Sequence, residues 1–220
     1  MNRRTPAGRQ TARHQPATLA VLAAFILAIL AISGCRITPT PSSTTSQGST
    51  VITSEFSTLD AAGVEQIKTD GRARLDMSSG SLQKSAVRVA DSSYGPEINT
   101  QGSGKIQLSI VGPSGEVTGQ TDRIRFKTTD ARRDFSEVTY FLTAESAEDL
   151  FAQIREGVEK YGIDSEDAER WISSAGKDST GTSDYSLTSG TSTGLSVNYD
   201  IRFDASKDTQ VIIVHVSSPA

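Results

Sequence analysis

Apolar residues recur along this chain with two different spacings, and the change from one to the other divides it into elements. Ile106, Leu108 and Ile110 alternate with polar neighbours, which predicts a half-buried strand closed by a turn at Gly112-Pro113-Ser114-Gly115. Ile124 and Phe126 continue the alternation in a second strand, and Val138, Tyr140 and Leu142 in a third. The period then becomes helical. Ser146 with Asp149 has the form of a capping box, Leu150, Phe151, Ile154, Val158 and Tyr161 share one face, and Gly162 terminates the run. A shorter helix over 165–175 turns Ala168, Trp171, Ile172 and Ala175 inward. Alternation returns at Tyr185 and Leu187, then over Leu195, Val197, Tyr199, Ile201 and Phe203. Residues 211–216 are apolar on both faces except His215 and predict a central strand. The stretches 190–194 and 204–208 serve as hairpin connections. The expected fold class is α+β: a mainly antiparallel sheet with one longer and one shorter helix packed on one face.

Residues 51–104 are less regular. Ser57 or Thr58 caps a short helix through Thr69, with Leu59, Ala62 and Ile67 on one side and Gly63 counting against it. Ala73, Leu75 and Met77, and again Val87 and Val89, predict short strands, and residues 91–104 a loop. Before them, Ile37 to Thr50 reads ITPTPSSTTSQGST, which cannot bury a core and predicts an extended tether. At about 3.1 Å per residue it would span roughly 40 Å.

The first sixteen residues hold Arg3, Arg4, Arg9 and Arg13 and no acid, and the run from Ala17 to Ile32 is apolar apart from Thr18. A basic lead, a short apolar core and small residues have the form of a secretory signal peptide. The core falls short of the roughly 20 residues that cross a bilayer. Arg3-Arg4 is followed by Thr5-Pro6 rather than a hydrophobic pair, so it reads as a plain basic lead and not as twin-arginine export. The run ends in Ile32-Ser33-Gly34-Cys35, which resembles the lipobox of bacterial lipoproteins, where Leu is usual at the first position. The resemblance implies a diacylglyceryl group on the Cys35 sulfur, cleavage between Gly34 and Cys35 by lipoprotein-processing enzymes, and attachment to the extracytoplasmic side of the cell membrane. The expected organisation is a signal peptide over 1–34, a lipidated Cys and tether over 35–50, and an extracytoplasmic α+β domain over 51–220.

Composition sharpens this picture. Cys35 is the one cysteine, so the domain is expected to fold without disulfides. Removing residues 1–34 takes four of the 22 Lys and Arg and none of the 26 Asp and Glu, which moves the net charge from −4 to −8. An acidic domain argues against nucleic acid as a partner.

Candidate chemistry is sparse. His14 leaves with the signal peptide, and His215 shares a strand face with Val211 and Ile213, where a structural role is expected. No His-rich zinc site or Cys/His pair can be assembled, and no catalytic residue, metal or cofactor is expected. The acids Glu145, Glu148 and Asp149, and Asp164, Glu166, Asp167 and Glu169, cluster at helix starts, where they favour the dipole. Arg123, Arg125 and Lys127 line one strand face, with Arg132 and Arg133 following. They form a possible patch for an anionic ligand or an envelope protein, or else charges that guard an edge strand. Trp171 is expected in the core under the second helix. The expected function is a lipid-anchored, non-catalytic binding or scaffolding module of the cell envelope. The alternative is a lipid or glycolipid carrier whose sheet wraps an apolar cavity, and an extracellular hydrolase comes third.

Overall fold

The computed structural model describes residues 55–128, 132–177 and 181–219. Gly34, Cys35, the signal peptide and the tether lie outside the described residues. In chain order the elements are α1 (Ala61–Asp70), β1 (Arg72–Asp76), β2 (Leu82–Gln83), β3 (Ile98–Asn99), β4 (Ile106–Val111), β5 (Glu116–Thr121) and β6 (Arg123–Lys127). There follow β7 (Asp134–Phe135), β8 (Glu137–Ala144), α2 (Ala147–Tyr161), α3 (Ser165–Ala175), β9 (Thr182–Ser186), β10 (Ser196–Asp204) and β11 (Gln210–Ser217).

The fold is α+β and sheet-dominated, as the alternation predicts. A six-stranded antiparallel sheet has the order β3-β6-β8-β11-β10-β9. A smaller sheet, β1-β4-β5, pairs β1 parallel to β4 and β4 antiparallel to β5. In the large sheet, Ile124, Phe126, Val138, Tyr140, Val197, Tyr199, Ile201, Phe203, Ile212, Val214 and Val216 are all buried and join one core with Leu150, Ile154, Trp171 and Ile172 of the helices. Strand β11 lies between β8 and β10, so the apolar run over 211–216 is central, as expected. The inner face of the small sheet adds Leu75, Leu108, Ile110 and Val117 to the same core.

Local chemistry explains the helices. Ser146 accepts the Asp149 N–H at the start of α2, and Gly162 leaves it in the left-handed region at φ 74°. Asp164 accepts the Asp167 N–H and caps α3. Helix α1 exists, but Asp60 is its cap and accepts the Gly63 N–H, while Thr58 donates to Asp60. Gly63 is there for close packing: a Cβ at that position would collide with Thr58. Ala62, expected inside, is exposed, and the helix buries Gly63 and Ile67 instead.

Two further expectations are corrected, and one strand is added. Val87 and Val89 lie in and just after a turn rather than a strand. The turn takes Arg88 to φ 59°, and Leu59 N–H closes onto the Val87 carbonyl. The stretch 91–104 contains a short strand, β3, whose Ile98 pairs with Ile124. Strand β5 was not anticipated because its sequence, EVTGQT, offers one apolar residue, and its pairing to β4 supplies what periodicity did not. Beneath the loop after β2, Lys84 is 1% exposed and donates to the Asp91 carbonyl at 2.6 Å, with its ammonium 5.6 Å from the Phe135 ring centre.

Candidate functional site

On each long edge of the small sheet one strand residue is met by another part of the chain. On the β1 side, Ser57 N–H donates to the Arg74 carbonyl and Arg74 N–H to Ser57 Oγ, which lays the segment before α1 alongside the strand. On the β5 side, the Tyr161 hydroxyl at the end of α2 donates to the Thr118 carbonyl at 2.9 Å and accepts its N–H at 3.1 Å. The neighbouring Gly119 makes room for Tyr140 of β8, because a Cβ there would lie 2.7 Å from the Tyr140 ring.

A groove of about 1450 Å3 runs along the sheet, lined also by α1, by α2 and by the end of β8. Side-chain alternation sets its chemistry. Register places Arg72 beside Gln107 and Gln107 beside Gln120, and likewise Arg74 beside Ser109 and Ser109 beside Thr118, so polar groups repeat across all three strands. Lys105, just before β4, donates to Thr143 Oγ1 at 2.9 Å, and Gln153 of α2 donates to the Thr143 carbonyl at 3.3 Å. Gln153 Oε1 and Arg74 Nε are buried with no hydrogen-bond partner among the described residues. Arg74 pairs through Nη2 with Glu116 at 2.9 Å, whereas Arg72 and Lys105 have no ion-pair partner among the described residues. At the back of the groove, burial, followed by the nearby Tyr161 and Glu156, pushes the Tyr199 phenol far above its ordinary value, so it is a neutral hydrogen-bonding group.

The five cations singled out from sequence fall elsewhere, and each has an acid beside it. Glu97 lies 3.6 Å from Arg123 and 3.4 Å from Arg125. Lys127 is 3.7 Å from Glu137, Arg132 is 3.0 Å from Asp134, and Arg133 is 3.9 Å from Asp91. Arg123 and Arg125 also stand 5.4 Å from the ring centre of Phe141. Glu97 is shared by the two arginines of the strand, so the charges of this stretch are largely balanced by nearby acids. Strand β6 is covered on its outer side only over the two residues of β3.

His215 sits on the face of the large sheet opposite the helices. Its Nδ1 lies 2.7 Å from Glu137 and its Nε2 3.4 Å from Asp200. Burial raises Glu137, but hydrogen bonds from His215 and Thr139 and the charges of His215 and Lys127 outweigh it and hold the carboxyl below its ordinary value. The acid clusters at the helix starts disperse. Asp164 is a cap, Asp167 points inward, and Glu169 forms a two-pronged pair with Arg155 of α2 at 2.7 and 3.0 Å. Trp171 is 5% exposed and donates to Ser183 Oγ, which places it in the core as expected.

Gly190-Thr191-Ser192-Thr193-Gly194, expected as a connection, also has the Gly-x-Ser-x-Gly spacing of a hydrolase nucleophile elbow. The fold places it between two strands instead of at a strand-to-helix turn, with Ser192 N–H donating to the Tyr161 carbonyl. Ser192 therefore packs at the end of α2, whereas His215 is held by Glu137 and Asp200 on the opposite face of the sheet. Among the described residues no group of three or more His, Cys, Asp or Glu is placed to hold a metal ion, and no helix is long and apolar enough to cross a membrane.

The groove residues were not legible beforehand. Arg72, Lys105, Gln107, Gln120 and Gln153 are ordinary exposed positions in the sequence, and only strand register and the approach of α2 bring them together. No family model, curated protein or solved structure matches this chain.

Proposed function

We propose that this protein is a lipid-anchored, extracytoplasmic binding module without catalytic activity, and that the groove along the small sheet is its binding site. The observation that carries the reading is a groove of mixed polar and apolar lining in which Gln153 Oε1 and Arg74 Nε are buried without hydrogen-bond partners among the described residues. A buried acceptor or donor without a partner costs about 1–3 kcal/mol, and a ligand that supplies one recovers that energy. The anchor and address rest on the signal-like lead and on Cys35 in its lipobox context.

A carrier of acyl chains needs an enclosed apolar space. The space between the large sheet and its helices is filled by Tyr140, Ile154, Trp171, Tyr199 and Ile212, and the groove is lined by Phe56, Leu108 and Leu142 as well as by amides, hydroxyls and charges. The filled interior of the large sheet argues against the carrier alternative.

Two measurements test the proposal on the full chain. Metabolic lipid labelling should mark the wild type and not Cys35→Ala, and unchanged labelling of the variant would remove the anchor. Thermal denaturation with fractionated envelope material should show stabilisation that Gln107→Trp, which fills the groove, abolishes. Equal stabilisation of both proteins would remove the groove as the site, and native mass spectrometry showing retained lipid would favour the carrier.

A further inference from the structure

We infer that the outer edge of β9 is a docking strand for an extended, uncharged peptide segment of another protein, which adds a seventh strand to the large sheet and seats an apolar side chain beside α3. This surface goes beyond the groove and shares no lining residue with it. Three observations carry it.

The first is an open ladder. Strand β9 is the last of the six strands. Leu187 N–H donates to the Tyr199 carbonyl and Ala205 N–H to the Gly181 carbonyl, so the odd-numbered residues of this stretch are the ones bonded to β10. The N–H and carbonyl groups of Thr182, Asp184 and Ser186 therefore point away from the sheet, and no hydrogen bond among the described residues reaches them. The edge closes at Thr188, whose N–H donates to Asp167 and whose carbonyl accepts the Asp164 N–H. Three alternate residues thus offer the donor and acceptor repeat that an extended backbone completes by strand addition.

The second is a pocket beside that edge. A space of about 420 Å3 lies between α3 and β9, lined by Trp171, Ala175, Tyr185 and Phe203 together with Arg170 and Ser174. A strand added to β9 would run about 4.8 Å from it, with every second side chain on the face of Ser183 and Tyr185. That face looks toward α3, since Ser183 accepts from Trp171 and Tyr185 donates to Asp167. An apolar side chain of the added strand would be placed at the aromatic lining of the pocket.

The third concerns the choice of occupant. The charges at the site are matched within the chain: Arg170 pairs with Asp167, and Asp184 lies 3.7 Å from Arg202. This favours an uncharged segment. A second copy of this chain is a poorer occupant. Its own β9 would bring Ser183 and Tyr185, which are already engaged, and would leave the pocket unfilled.

The test is a fluorescence-polarisation screen of the full chain in detergent micelles against a positional-scanning library of acetylated, amidated octapeptides. Pools with leucine, phenylalanine or tryptophan fixed at a central position should bind at least tenfold more tightly than pools with aspartate or lysine there. Hydrogen exchange should slow at residues 182–186 on binding and not at 116–121. Asp184→Pro removes an outward N–H that β10 does not use and should weaken binding at least tenfold, whereas Asp184→Asn should bind as the wild type does. Ser174→Phe, which fills the pocket, should remove the preference for an apolar central residue. Methylating alternate backbone nitrogens of the best peptide should abolish binding in one phase and spare it in the other. Circular dichroism and melting check the fold of each variant, and the methylated peptides decide the matter on the wild type if Asp184→Pro does not fold. Binding that ignores both Asp184→Pro and methylation in either phase would overturn the inference, as would no pool binding at millimolar concentration or slowed exchange at 116–121 instead. Charged pools binding as tightly as apolar ones would overturn the uncharged assignment. Sedimentation showing a dimer that Asp184→Pro abolishes would make a second copy the occupant and overturn the peptide assignment.

Discussion

The Tyr161 hydroxyl satisfies both backbone groups of Thr118, donating to its carbonyl at 2.9 Å and accepting its N–H at 3.1 Å. A side chain on the last turn of α2 thus acts as a one-residue strand against β5, and it ties the small sheet to the helix layer. Tyr161 is 3% exposed, and its ring packs edge-on to Tyr199 at 6.5 Å. Tyr161→Phe keeps the ring, strands the Thr118 N–H and leaves its carbonyl with the longer hydrogen bond from the Tyr140 hydroxyl at 3.5 Å, so it should destabilise by about 1–3 kcal/mol. Urea denaturation measures the loss, and hydrogen exchange should show the Thr118 amide losing protection before the β10–β11 pair does.

Gly157 sets a competition between helix propensity and packing. Alanine in a helix interior is favoured over glycine by about 1 kcal/mol. A Cβ at Gly157, however, would meet the Tyr199 ring at 2.7 Å and Ile163 Cδ1 at 3.0 Å. Overpacking of this kind costs about 1–3 kcal/mol. Packing should win: Gly157→Ala is expected to lower the melting temperature despite its better propensity, and a rise would show that α2 can shift off the sheet.

Asp167 fastens α3 to the segment after β9. Its carboxyl accepts from the Tyr185 hydroxyl at 2.6 Å, from the Thr188 N–H and hydroxyl at 2.9 and 3.1 Å, and from Arg170. The Tyr185 hydrogen bond, opposed by burial and aided by Thr188 and Arg170, lowers its pKa from 3.8 to about 2. A depressed carboxyl stabilises the fold above its unfolded value, and that stability is lost as pH falls through the folded one. Asp167→Asn should therefore cost about 1–2 kcal/mol at pH 7. The gap between variant and wild type should close between pH 4 and pH 2 in urea titrations, and a pH-independent gap would mean that shape rather than charge holds the network.

Glu137 gives a weaker pH signature of the same sign. Its carboxyl is held below the ordinary value of 4.5 with the help of His215, so its contribution is present above pH 4.5 and fades as pH falls. His215→Ala should raise the pH midpoint of acid unfolding slightly, by the loss of about 1 kcal/mol or less at this half-open site. Carboxyl chemical shifts of Glu137 followed by NMR would report the change directly.

Alternation and helical period were strong enough along much of 105–216 to announce β4, β6, β8, both long helices and the C-terminal strands, because each of those elements buries one regular stripe. The signal failed where burial is irregular. Strand β5 has Val117 as its one large apolar residue, and the 84–91 turn hides Val87 beside a left-handed Arg88. Gly63 and Gly157 look like helix weaknesses until Thr58 and Tyr199 are seen against them. The expectation of a lipid anchor at Cys35 likewise rests on contiguous residues, since a short local motif needs no fold to be read. Charge balance and the groove do not have that property. Glu97 lies beside both Arg123 and Arg125, His215 is gripped by Glu137, and Arg72, Gln107 and Gln153 line one groove from three separate elements. Local pattern dictates which residues face inward; register and packing dictate which distant polar groups meet, and the groove depends on such meetings.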